Sequence, residues 1–79
     1  MAFDALPEGS FEGMYKGRRW IIRETRFANG RSQKIVAHEL GGAGYISANL
    51  YRLASGPVLK PCEMPEAKVR AFVLGLLPL

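Results

Sequence analysis

A single cysteine, Cys62, and a single histidine, His38, are all that this chain offers by way of thiolate and imidazole metal ligands. One thiol cannot close a disulfide within the chain, and one thiol with one distant imidazole cannot build a four-ligand metal centre. The expectation is therefore no metal, no cofactor and a reducing, cytoplasmic setting. Long apolar runs are missing as well. The longest, Ala71 to Leu79, falls far short of the roughly 18 to 20 residues a membrane-spanning helix requires. Met1 to Gly9, which holds Asp4 and Glu8, has neither the basic start nor the apolar segment of a secretion signal. No membrane partner is expected. Acidic residues are the minority charge: seven Asp and Glu stand against eleven Lys and Arg, a formal balance of +4. That sign favours an anionic partner through long-range attraction, although a charge of this size also lies within what solubility alone calls for.

What is present is the composition of a small globular domain. At 79 residues, 48% hydrophobic and 23% charged, the chain is too apolar to be disordered and close to the lower size limit for a core that holds without help. Residues 1–9, with Pro7, Gly9 and little periodicity, read as a flexible lead-in, and residues 10–79 as one domain. Turn signals then recur at meander spacing. Ser10 to Tyr15 reads as a first strand weakened by Gly13, and Lys16-Gly17 as a tight turn. Arg18 to Phe27, rich in β-branched and aromatic residues, is the strongest strand. Trp20 and Ile22 share one of its faces; Arg19, Ile21 and Arg23 share the other. Asn29-Gly30 is a hairpin signal, returning through Gln33 to Leu40 with Val36, His38 and Leu40 on one side and Ile35, Ala37 and Glu39 on the other.

After Gly41-Gly42-Ala43-Gly44, the stretch from Tyr45 to Leu53 alternates cleanly, Ile46, Ala48 and Leu50 forming an apolar row. Pro57 and Pro61 confine Val58 to Lys60 to an edge, because proline cannot donate to a ladder. Pro65 opens a helix whose Val69, Phe72, Val73 and Leu76 repeat at i, i+3, i+4, i+7. The fold class expected is α+β: an antiparallel β-meander of about four to five strands with one C-terminal α-helix packed on one face. Its core is expected from Trp20, Ile22, Val36, Ile46, Leu50, Val69, Phe72 and Val73.

No constellation reads as catalytic. His38 and Glu39 are strand neighbours that point to opposite faces and cannot share a substrate, so His38 reads as a partly buried structural residue. Cys62 precedes a helix N-terminus, a place where thiols serve as nucleophiles, but no motif supplies it a base. The glycine run lacks the Lys-Ser/Thr ending of a phosphate loop and leads into a strand rather than a helix, which makes it a flexible turn. Ser47 has no nucleophile-elbow motif around it. The chain reads as a non-enzyme.

The basic and aromatic residues carry more. Arg18, Arg19, Arg23, Arg26, Arg31, Lys34 and Arg52 lie in or beside the sheet, interleaved with Trp20, Tyr45 and Tyr51. Single-stranded nucleic acid is held by this combination, guanidinium groups tracking phosphates while rings stack bases. The candidate contacts are Arg19, Arg23, Tyr45, Tyr51, Arg26 and Arg52. Strand parity unites Arg19, Arg23, Tyr45 and Tyr51 and sets Arg52 apart. Leu74, Leu76, Leu77 and Leu79 crowd a short helix whose stripe already covers the core, so the tail either packs along the sheet edge or forms a homodimer interface. The alternative to nucleic acid is a protein partner, the chain acting as an interaction module or accessory subunit.

Two resemblances add to this reading. Gly17-Arg18-Arg19-Trp20, Ala37-His38-Glu39-Leu40-Gly41-Gly42, Asn49-Leu50-Tyr51-Arg52 and Leu59-Lys60-Pro61-Cys62-Glu63-Met64-Pro65 resemble a family of small uncharacterised bacterial proteins, which brings no function with it. The architecture, a meander with a glycine turn, a Leu-Lys-Pro edge and a closing amphipathic helix, is similar to that of the single-stranded-DNA-binding transcriptional coactivator family. It differs in having Pro61 to Met64 where that family carries a Lys-rich, Gly-containing stretch. The second resemblance implies paired helices joining two subunits and sheets that grip an unpaired strand.

Overall fold

Backbone reversals at Lys16-Gly17, Ala28 to Arg31, Leu40 to Gly44 and Ala54-Ser55 cut the chain into five consecutive strands: β1 (Gly9–Tyr15), β2 (Arg18–Phe27), β3 (Ser32–Glu39), β4 (Tyr45–Leu53) and β5 (Gly56–Pro61). This is a computed structural model, and it describes residues 6–79. Each strand pairs antiparallel with the one before it. A helix, α1 (Glu66–Gly75), follows, and then a two-residue strand, β6 (Leu77–Pro78), which pairs with β1. The sheet order is β5-β4-β3-β2-β1-β6. The chain therefore leaves one edge of the sheet and returns to the other. At about 4.8 Å per strand that path is about 24 Å, of which ten helical residues cover about 15 Å. α1 is the diagonal strut between the two edges.

Register explains which residues are buried. Phe11, Ile22, Ala37 and Ile46 lie in one row across four strands, and Glu24, Ile35, Ala48 and Pro61 lie in the next. The stripe Val69, Phe72, Val73 and Leu76 is buried against this face. Phe72, with no exposed surface, packs its ring against Trp20 at 4.8 Å and Tyr15 at 4.9 Å between centroids. Gly13 is part of this fit: a Cβ there would stand 2.8 Å from Leu76 Cδ1, so the missing side chain seats the last residue of the stripe.

One end of the same face is polar. Glu24 is 1% exposed and receives hydrogen bonds from Gln33 Nε2 and from Arg26 Nε, the latter at 3.2 Å to each carboxylate oxygen. Arg26 Nη2 also donates to the Leu6 carbonyl at 3.0 Å, and Leu6 itself is buried in the core cluster. A buried carboxylate thus fixes an arginine, which clips the incoming chain across the sheet.

Several expectations change. The α+β class holds, but among the described residues the strands number six, because the tail after α1 continues as β6 beside β1 with Leu79 N–H donating to the Glu12 carbonyl at 2.9 Å. The tail lies along the sheet edge, Leu77 and Pro78 pairing with Met14 and Gly13 of β1. Val36 is not in the core; Ile35 and Ala37 are, because β2 and β3 pair with Ile22 opposite Ala37 and Arg23 opposite Val36. The lead-in expected over residues 1–9 lies mostly outside the described residues, while Leu6 is buried and β1 starts at Gly9. Among the described residues no helix is long and apolar enough to cross a membrane.

Candidate functional site

The sheet face turned away from α1 is open along the described chain. Because strand side chains alternate, the pairing fixes its occupants row by row. Ile21, His38 and Tyr45 form one row across β2, β3 and β4; Arg23, Val36 and Ser47 the next; Thr25, Lys34, Asn49 and Lys60 the third; and Phe27, Ser32, Tyr51 and Val58 the last. Arg19 precedes these rows on β2, and Glu12 lies beside Ile21 on β1.

The charge on this face is one-sided. Arg19, Arg23, Lys34 and Lys60 stand against Glu12 alone among the described strand residues, so most of the chain's formal +4 is concentrated here. Arg19 Nε sits 3.4 Å from Glu12 Oε1 with both side chains about half exposed, at 60% and 47%. A pair that exposed is worth about 0 to 1 kcal/mol and does not remove Arg19 from service. Arg23, Lys34 and Lys60 have no ion-pair partner among the described residues. The rings lie on either side of the Arg23, Lys34 and Lys60 rows, with Arg19 beyond Tyr45. Tyr45 is in contact with His38, ring centroids 5.0 Å apart, while Phe27 and Tyr51 are 48% and 37% exposed at the opposite end.

Arg19, Arg23, Tyr45 and Tyr51 are thus brought onto one surface. Arg26 and Arg52, the other two candidate contacts, are not, and for Arg52 this is what strand parity predicts. Both alternate onto the α1 side, where Arg26 is held by Glu24 and the Arg52 Nη1 donates to the Gly30 carbonyl at 2.8 Å. Arg52 also donates its backbone N–H to the Arg31 carbonyl at 2.7 Å, so it ties the β2–β3 connection to β4. The four leucines are likewise separated. Leu76 is in the core, Leu77 pairs with Met14 on the open-face side of β6, and Leu74 is exposed on α1.

His38 is exposed rather than partly buried, and it faces away from Glu39, whose carboxylate accepts from Arg18 Nη1 at 3.1 Å. The glycine run beside Glu39 has a packing reason: a Cβ on Gly44 would lie 2.6 Å from Glu39 Oε1 and from Trp20 Cη2. Cys62 is half-buried, its Sγ accepting from Asn49 Nδ2 at 3.9 Å. Among the described residues no three His, Cys, Asp or Glu side chains are grouped as metal ligands.

Phe27, Lys34, Lys60 and His38 belong to the surface but not to the set chosen from sequence. The signal that finds them is the hairpin register: a turn centred on Asn29-Gly30 sets Phe27 opposite Ser32, so even-numbered β3 residues share the face of odd-numbered β2 residues. No family model, curated protein or solved structure matches this chain, so its own geometry carries the functional argument.

Proposed function

We propose that the chain is a non-enzymatic, cytoplasmic module that binds single-stranded nucleic acid on the open sheet face. The observation that carries this reading is the composition of that face among the described strand residues, four cations against one carboxylate, with exposed rings on either side of the Arg23, Lys34 and Lys60 rows. Cations neutralise phosphates with release of counterions, and rings stack unpaired bases without regard to sequence. An open sheet face suits an unpaired strand, whose bases can turn down onto it.

The test is a fluorescence-anisotropy titration of a labelled single-stranded oligonucleotide across a series of salt concentrations. Saturable binding that weakens linearly in the logarithm of salt supports the reading; no saturable signal at low salt refutes it. A second reading, docking to a protein, draws on Leu74, Leu77 and Leu79, which are 74%, 67% and 67% exposed. If that protein is a second copy of the chain, sedimentation at high micromolar concentration returns a dimer that Leu77→Ser disrupts.

A further inference from the structure

The two ringed ends of the open face have the same spacing and different middles. At one end Ile21 and Tyr45 flank His38, whose ring stands in the middle of the row and is in contact with Tyr45, centroids 5.0 Å apart. At the other end Phe27 and Tyr51 flank Ser32. Serine has no ring to fill the gap, so the two aromatic side chains stand on either side of a small, half-buried hydroxyl residue. Neither ring is stacked on another ring among the described residues, and both are exposed, at 48% and 37%.

The spacing suits a planar heteroaromatic guest. Strands β2 and β4 lie two inter-strand steps apart, about 9.6 Å. Offset-stacked rings sit with centroids from about 4.5 Å apart, so two successive stacking steps, ring to guest to ring, take up about 9 to 10 Å. Ser32 forms the floor, with a hydroxyl that can both donate to and accept from a ring edge. Lys34, two residues along β3 on the same face and so about 7 Å away, is placed for an attached phosphate, and Lys60 lies in the same row as Lys34. The slot also has a firm backing, since the Arg52 guanidinium donates from the α1 side to the Gly30 carbonyl and the Arg52 backbone N–H donates to the Arg31 carbonyl, holding the β2–β3 connection against β4.

We infer that Phe27, Ser32 and Tyr51 form a nucleobase slot, in which one unpaired base is sandwiched between the two rings while its phosphate meets Lys34. The inference rests on the proposed binding of single strands to this face, and it adds a defined register: one base inserted, its neighbours lying along the basic band.

The test uses the full chain and a labelled single-stranded DNA twelve-mer of mixed sequence, with a second oligomer of the same length whose central nucleotides are abasic. The variants are Phe27→Leu, Tyr51→Leu, their combination, and Tyr45→Leu, each checked by circular dichroism for an unchanged fold. Loss of a stacking contact is worth about 1 to 3 kcal/mol per base, or about 5- to 150-fold in affinity. The expected result is a loss in that range for Phe27→Leu and for Tyr51→Leu, with an unchanged salt slope. Combined, they should lose less than the product of the two, because both rings hold one base. On the abasic oligomer these substitutions should have no effect. If the twelve-mer binds with a salt dependence but Phe27→Leu and Tyr51→Leu bind as well as the parent, the slot is refuted and the basic face stands. If nothing binds, both fall.

Discussion

Phe72→Ala puts the junction of helix and sheet to the test. Phe72 is the largest side chain with no exposed surface, and it is the point where α1 meets both Trp20 of β2 and Tyr15 of β1. Truncating a buried phenylalanine removes its transfer free energy and leaves a cavity, together about 3 to 5 kcal/mol. The two ring contacts at 4.8 and 4.9 Å place this site toward the upper part of that range. At about 0.05 to 0.15 kcal/mol per residue, a 79-residue domain has about 4 to 12 kcal/mol in all. The variant should therefore lose a large share of its stability. For a chain this size each kcal/mol moves the midpoint by about 4 to 8 °C, so even the low end shifts the melt by about 12 °C. Should Phe72→Ala fail to fold, Phe72→Leu keeps most of the volume and loses the ring contacts, an expected cost of about 1 to 2 kcal/mol by urea titration. A thermal midpoint for Phe72→Ala within about 2 °C of the parent would show that α1 does not pack on the sheet as described.

Glu24→Gln should destabilise by about 1 to 3 kcal/mol, because it withdraws the charge that Arg26 pairs with in a buried position. A double-mutant cycle with Arg26→Ala should show coupling, and additivity would mean that the two do not act together. Gly44→Ala should cost about 1 to 3 kcal/mol through contact with Trp20 and Glu39; a denaturation midpoint equal to the parent's would contradict that packing. On the open face, Arg23→Ala should lower the salt slope for a single strand by about 0.7 if it meets one phosphate, and an unchanged slope removes it from the contact. Tyr45→Ala should weaken binding with the slope kept, by less than Tyr51→Ala, since His38 already occupies one side of the Tyr45 ring.

Much of this architecture is legible in the residues. The β-branched and aromatic content of Arg18 to Phe27 and the alternation of Tyr45 to Leu53 mark β2 and β4 to their observed ends, and the helical stripe is the buried stripe. Val36 against Ile35 is a different matter. Both are β-branched and apolar, so propensity cannot rank them; only the pairing set by the Asn29-Gly30 reversal decides. The same pairing identifies Lys34 and Phe27 as part of the open face. Alternation alone places Arg26 with Trp20, but nothing local says that Glu24 is buried to receive it, since that depends on Gln33 arriving from the next strand and Leu6 from above. β6 has only two residues and no pattern of its own. Its place is fixed by where α1 ends, which is a property of the whole sheet.

The identity of the outermost strands bears on how the molecule behaves in a crowded solution. On one side β5 is bounded by Pro57 and Pro61, and on the other β6 contains Pro78. A proline has no amide hydrogen to offer a passing strand, so each border presents a broken row of donors to any extended segment that approaches it. β5 and β6 are therefore poor templates for a further strand. Replacing Pro57 and Pro61 with threonine would restore a continuous row along β5, and the chain should then turn from a dispersed solute into one that self-assembles through its backbone on prolonged incubation, visible as thioflavin-positive aggregate that the parent does not form.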